Sequence, residues 1–136
     1  MPLTKELKVE AKIENIPQII SFVDEFLDSI DCPMKAHMQI NMVIDDLFAN
    51  VAYYAYPNGD GYMTIILEQI EGGIKIYRID TGVPYNPLLQ KDPDITSKVE
   101  DRQIGGLGTY LVKNLTDSMD YEYKDKKNIV IITKLF

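Results

Sequence analysis

Apolar and polar residues alternate along the first segment, KELKVEAKI, with Leu7, Val9, Ala11 and Ile13 in step. That period of two predicts a half-buried strand. The period then changes. Ile16, Ile19, Ile20, Val23, Phe26, Leu27 and Ile30 recur at three and four residues, predicting a helix to Ile30 with Asn15 as N-cap and Pro17 in its first turn. After the break DCP, a longer helix is predicted from about Met34 to Tyr54. Its core stripe is Ile40, Val43, Ile44, Leu47, Val51 and Tyr54. YPNGDG is a dense turn signal. It introduces two strand-like runs, Tyr62–Ile70 and Ile74–Ile79, joined through EGG as a hairpin. The segment Gly108–Leu115 reads as helical, with Leu107, Leu111, Val112 and Leu115 on one face. The last eighteen residues, MDYEYKDKKNIVIITKLF, read as a second hairpin turning near Asp125–Asn128. This order predicts an α+β fold, a two-layer sandwich whose mixed, mostly antiparallel sheet carries helices on one face.

At 136 residues, 46% of them hydrophobic, the chain suits one domain with a single core, expected to span 1–136. The net charge of −7 argues against a nucleic-acid partner and against an anionic membrane surface. No apolar run approaches the roughly 18 residues of a spanning helix, and the first ten residues lack a signal-peptide core. The expected location is the cytoplasm. Cys32 is the only cysteine and His37 the only histidine, too few ligands for a zinc site. They read as a small apolar thiol and a surface histidine near a helix start.

Three short motifs bear on chemistry. Asp46 and Asn50, in IDDLFANVAYYAY, are four apart and share the flank of the long helix. An amide oxygen there is a hard donor suited to Mg²⁺, and a carboxylate one turn earlier suits a general base; a solvated polar flank has the same spacing. In DTGVPYNP, Asp80 closes a strand and Gly82 follows, so a carboxylate can accept from an exocyclic amine while a flat ring approaches a backbone without Cβ. A plain turn leaving a strand also reads this way. In GGLGTYLVKNL, Gly105, Gly106 and Gly108 stand before a helix, where free N–H groups and the helix dipole favour phosphate, although a glycine-rich bend without a ligand has the same pattern. No Lys-Ser/Thr follows, so this is not a P-loop.

Taken in order, the three motifs resemble the GHKL ATP-binding superfamily shared by histidine kinases, gyrase, the large heat-shock chaperone and mismatch-repair ATPases. Within it, the short chain and the wording AN…YAYP, DTGVPYNP and GGLGTYLVKNLTD are similar to the anti-sigma factor serine/threonine kinases. The resemblance implies a histidine-kinase-like ATPase fold that binds ATP and Mg²⁺. It implies that Asn50 binds Mg²⁺, that Asp80 binds adenine with Gly82 beside the base, and that Gly105, Gly106, Leu107 and Gly108 form the phosphate-binding turn. Leu88–Ile104 would be an ATP lid, about 88–104; Lys98 and Arg102 within it could reach the phosphates or stand as solvated lid charges. The implied substrate is a STAS-domain antagonist, the implied second partner a sigma factor, and the implied assembly a homodimer. One departure stands out: the family's catalytic glutamate, four residues before the asparagine, is Asp46 here. A side chain one methylene shorter leaves open a nucleotide-gated binding module that does not transfer phosphate.

Overall fold

A computed structural model describes residues 2–57, 59–89 and 112–136. Most of the expected lid, Lys98 and Arg102, and Gly105, Gly106, Leu107, Gly108 and Leu111 lie outside them. Five strands form one sheet: β1 (Thr4–Glu10), β2 (Tyr62–Ile70), β3 (Gly73–Asp80), β4 (Ser118–Lys124) and β5 (Lys127–Leu135). Their order is β1-β2-β3-β5-β4, and every pairing is antiparallel. Among the described residues, the long helices α1 (Ile16–Ser29) and α2 (Met34–Asn50) and a helical piece at 112–115, the described end of the helix expected there, join this sheet in a two-layer α+β arrangement.

Alternation decides what the sheet buries. Val9 on β1, Met63, Ile65 and Leu67 on β2, Ile74 and Ile76 on β3, and Val130 and Ile132 on β5 enter one core with the helix stripes. Ile16, Ile19, Val23, Phe26 and Leu27 come from α1, and Ile40, Val43, Ile44, Leu47 and Phe48 from α2. Each such side chain, fully removed from water, contributes about 1.5–3 kcal/mol. Both hairpins turn in two residues. Ile70 pairs with Gly73 around Gly72, whose φ of 74° is left-handed, and Lys124 pairs with Lys127 around Asp125 and Lys126, both at positive φ. The second turn is thus tighter than expected, and Asn128 belongs to β5 rather than to the turn.

Helix ends depart from expectation in instructive ways. Asn15 precedes α1 but does not cap it: a short 3₁₀ turn, Ile13–Asn15, has already brought it to helical dihedrals, and its amide donates instead to Glu10 O at 2.9 Å. α1 stops because Asp31 takes φ 55°, letting Cys32 N–H bond Leu27 O and Asp31 N–H bond Asp28 O. His37 is half-buried rather than superficial. Its Nε2 meets Asp24 Oδ1 at 2.6 Å, and Asn41 donates to the same oxygen at 3.0 Å, tying α2 to α1.

The largest departure lies at the end of α2. Residues Val51–Ala55 form a π-helical turn. A π turn inserts one residue relative to the α-helix, so the next core position after Val51 is Ala55, and Tyr54 is 48% exposed. The 3.6-residue stripe had placed Tyr54 inward.

Candidate functional site

The site forms where α2, the end of β3 and the start of β5 meet. On β3 the inward positions run Ile74, Ile76, Arg78, Asp80, so the alternation that builds the core also buries two charges. Arg78 is only 4% exposed, and its Nη1 donates to Leu47 O at 2.9 Å while Nε has no hydrogen-bond partner among the described residues. Burial pulls its guanidinium below the usual value, and the Asp80 and Asp46 carboxylates oppose that pull. Arg78 is therefore coupled electrostatically to both acids that the sequence had singled out separately.

Asp80 is equally buried. Its Oδ1 accepts from Gly82 N–H at 2.9 Å and from Asn128 Nδ2 at 3.0 Å. Oδ2 receives no hydrogen bond from a described residue, which leaves it available to a donor from outside. Asn128 ties the acid to its loop. The same Nδ2 reaches Val83 O at 3.0 Å and Gly82 O at 3.4 Å, while Asn128 Oδ1 accepts from Tyr85 N–H at 3.1 Å and from the Tyr121 hydroxyl. Burial raises the Tyr121 and Tyr85 hydroxyl pKa values, so both rings stay neutral donors at neutral pH.

Gly82 needs to be glycine for a reason the sequence did not reveal. A Cβ there would stand 2.3 Å from Ala55 O and 2.6 Å from Ala55 Cβ, and Val83 N–H bonds Ala55 O at 2.9 Å. The close approach is to the π turn. Tyr56, just beyond it, sends its hydroxyl to Tyr62 O at 2.6 Å and takes Thr81 N–H at 2.9 Å, pinning the same loop. A cavity of about 400 Å³ lies here, lined by Ala55, Tyr56, Asp60, Thr81, Gly82 and Val83 among others.

Across α2, Asp46 is half-buried and its Oδ2 is enclosed without a hydrogen-bond partner among the described residues. Burial pushes its carboxyl up to about 6; Arg78 works against the rise and Asp45 adds to it. It borders a second cavity, about 280 Å³, with Met42, Ala49, Val112 and Leu115. Asn50 is the last residue of α2, half-exposed and without a hydrogen bond to a described residue. The unengaged Asn50 amide is a hard oxygen donor of the kind Mg²⁺ takes, and the orphaned Asp46 oxygen one turn earlier is placed to accept a proton. Among the described residues no group of three or more His, Cys, Asp or Glu gathers to hold a metal alone. A cation here would need oxygens from a bound ligand, as Mg²⁺ commonly does with phosphates.

The amino-acid sequence matches a known family profile. The family described as the histidine kinase-like ATPase domain aligns with residues 9–134, nearly the whole chain. The chain belongs to that family. Within the histidine kinase-like ATPases, its relatives include a serine-protein kinase RsbW of Bacillus mycoides (strain KBAB4), 26% identical over 133 residues, covering 95% of this chain and 82% of that protein. The serine-protein kinase RsbW of Bacillus cereus (strain B4264) is 27% identical over the same span and coverage. A serine/threonine-protein kinase BtrW of Bordetella bronchiseptica (strain ATCC BAA-588 / NCTC 13252 / RB50) is 22% identical over 100 residues, 73% of this chain and 70% of that protein. The histidine kinase-like assignment makes ATP the expected ligand, and the Asp80 end of the cleft has the free acceptor for it.

The structure thus unites Asp46, Arg78 and Asp80 electrostatically, and Asp80, Gly82 and Asn128 by hydrogen bonds. No described hydrogen bond joins Asn50 to Asp80. Sequence reasoning passed over Arg78, Asn128 and Tyr121. A signal existed for the first two: counting in twos back from Asp80, and from Ile132 to Asn128, puts both on the core face.

Proposed function

We propose that the protein is an ATP- and Mg²⁺-dependent serine/threonine protein kinase of the anti-sigma type, a single domain over 1–136 with its lid at about 88–104. The observation that carries this reading is Asp46, an enclosed carboxylate with an unpartnered oxygen one helical turn before a free Asn50 amide. Asp80 would accept the adenine amine on Oδ2 while Asn128 and Gly82 hold Oδ1 still. Asn50 would hold Mg²⁺, which supplies charge neutralisation at the phosphates. The glycine turn Gly105, Gly106, Leu107 and Gly108 would bind those phosphates through its N–H groups.

Asp46 would take the proton of the attacking hydroxyl. A carboxylate pushed up to about 6 is mostly ionised at pH 7 yet more basic than an ordinary aspartate, the compromise a general base requires. The remaining barrier reduction would be positioning and electrostatics. The kinases RsbW and BtrW among the relatives support the activity. A STAS-domain antagonist is the substrate we assign, a sigma factor the second partner, and a homodimer the assembly. The shorter reach of Asp46 favours one alternative, a nucleotide-gated module that binds partners without phosphorylating them.

Incubation with γ-labelled ATP and STAS-domain proteins separates the two. Label on a serine or threonine of the partner, lost in Asp46→Ala, is the expected result. Transfer that survives Asp46→Ala undiminished would remove Asp46 as the base, and tight ATP binding with no transfer would select the module.

A further inference from the structure

In an uninterrupted α-helix, Leu47 O would accept from Val51 N–H. Here Val51 N–H donates to Phe48 O, one residue closer, and Leu47 O is taken by Arg78 Nη1 at 2.9 Å. The hydrogen-bond register changes at the turn that contains Asn50, and the π turn Val51–Ala55 begins at once. Kinks and π turns need a local cause, commonly a group inserted into the ladder. The inserted group here comes from β3, two residues before Asp80.

We propose that Arg78 is a positioning residue: by drawing Leu47 O out of the α-helical ladder, its buried guanidinium sets the π turn and registers the Asn50 end of α2 against the Asp80–Gly82 loop. The packing shows what the register achieves. Ala55 O takes Val83 N–H, and Gly82 passes so close to Ala55 that even a methyl group on it would collide. Continued as an α-helix, the chain would bring Tyr54 to the core face that Ala55 now occupies, and a tyrosine ring has no room beside Gly82. The guanidinium is also coupled electrostatically to Asp46 on α2, to Asp80 on its own strand and to Tyr121 and Tyr85. One side chain therefore touches the helix that carries Asp46 and Asn50 and lies beside the acid assigned to adenine.

The functional consequence rests on the reading proposed above: Arg78 would make metal binding at Asn50 and base binding at Asp80 mutually compatible. The test compares Arg78→Met, which keeps the volume without donor or charge, with Arg78→Lys, which keeps both. Amide hydrogen exchange at Val51–Ala55 and the solvent accessibility of Tyr54 read the turn without nucleotide. Calorimetry with and without Mg²⁺ reads the factor by which the cation strengthens ATP binding. In Arg78→Met, Val51 should gain protection and Tyr54 should become shielded, and the Mg²⁺ factor should fall at least about tenfold, since ångström-scale misplacement can cost up to about a hundredfold. Arg78→Lys should keep Tyr54 exposed and retain most of the factor. Methionine and lysine variants that behave alike would reduce Arg78 to a space-filler and overturn the proposal. If Arg78→Met does not fold, Arg78→Lys decides alone, because a folded lysine variant with Tyr54 shielded contradicts the donor's role. Wild-type protein that binds no ATP would instead sink the nucleotide reading and leave the exchange result standing.

Discussion

Replacing Asp46 with asparagine should stabilise the nucleotide-free fold, and only above about pH 4. Burial raises this carboxyl from 3.8 to about 6. Between those values the native state binds the proton that the unfolded chain has released, so stability falls as pH rises through the window and the penalty is complete above it. At about 1.4 kcal/mol per tenfold the full shift corresponds to about 3 kcal/mol. Asp46 is only half-buried, and solvent screening brings the expected effect to about 1–2 kcal/mol. Asparagine keeps the shape and never ionises. Urea unfolding at pH 4, 5, 6, 7 and 8 measures the difference. The variant should match wild type near pH 4 and exceed it by about 1–2 kcal/mol at pH 7 and 8. A variant less stable than wild type at pH 8, or a difference independent of pH, would refute the claim that Asp46 is held ionised at a cost. A group kept in place although its removal stabilises the protein is what a functional site leads one to expect.

Asp80→Asn should weaken ATP binding by about 1–3 kcal/mol, because an amide nitrogen would replace an acceptor in a buried network; calorimetry showing equal affinity would remove the adenine assignment. Asn50→Ala should abolish the Mg²⁺-dependent part of ATP affinity while leaving metal-free binding within a few-fold, and Asp46→Ala should leave both parts of the affinity within a few-fold, as read by titration with and without the cation. Gly82→Ala should lower the thermal midpoint markedly, since its Cβ would lie 2.3 Å from Ala55 O; a loss of at least about 1–3 kcal/mol is the overpacking range. Phe48→Ala, at the centre of the core with no exposed surface, should cost about 3–5 kcal/mol in urea unfolding without altering the nucleotide contacts.

Periodicity alone determined much of this protein. The change from period two to period 3.6 at Ile16 located the first strand and both helices, because a residue's face depends only on local geometry once the element is chosen. The glycine and asparagine turns placed the hairpins to within a residue or two. The acids were legible as well: Asp46 and Asp80 stand out by spacing and context, and the likeness of three ordered motifs pointed to the histidine kinase-like ATPase family that residues 9–134 match. What local pattern could not show was any contact between them. That Arg78 and Asp80 are both inward was implicit in the alternation of β3, but the meaning of that burial depends on Leu47, 31 residues earlier in the chain. Asn128 reads in sequence as turn chemistry, and only the pairing of β3 with β5, Asp80 opposite Asn128, makes it the clamp of the Asp80 loop. Tyr54 is the plainest case. A helical stripe sends it to the core, and an arginine from a neighbouring strand, by taking one carbonyl, turns it out to solvent. Local sequence sets which face each residue prefers; long-range hydrogen bonds to a buried charge are strong enough to move that preference by one residue, and they exist only once the chain has folded.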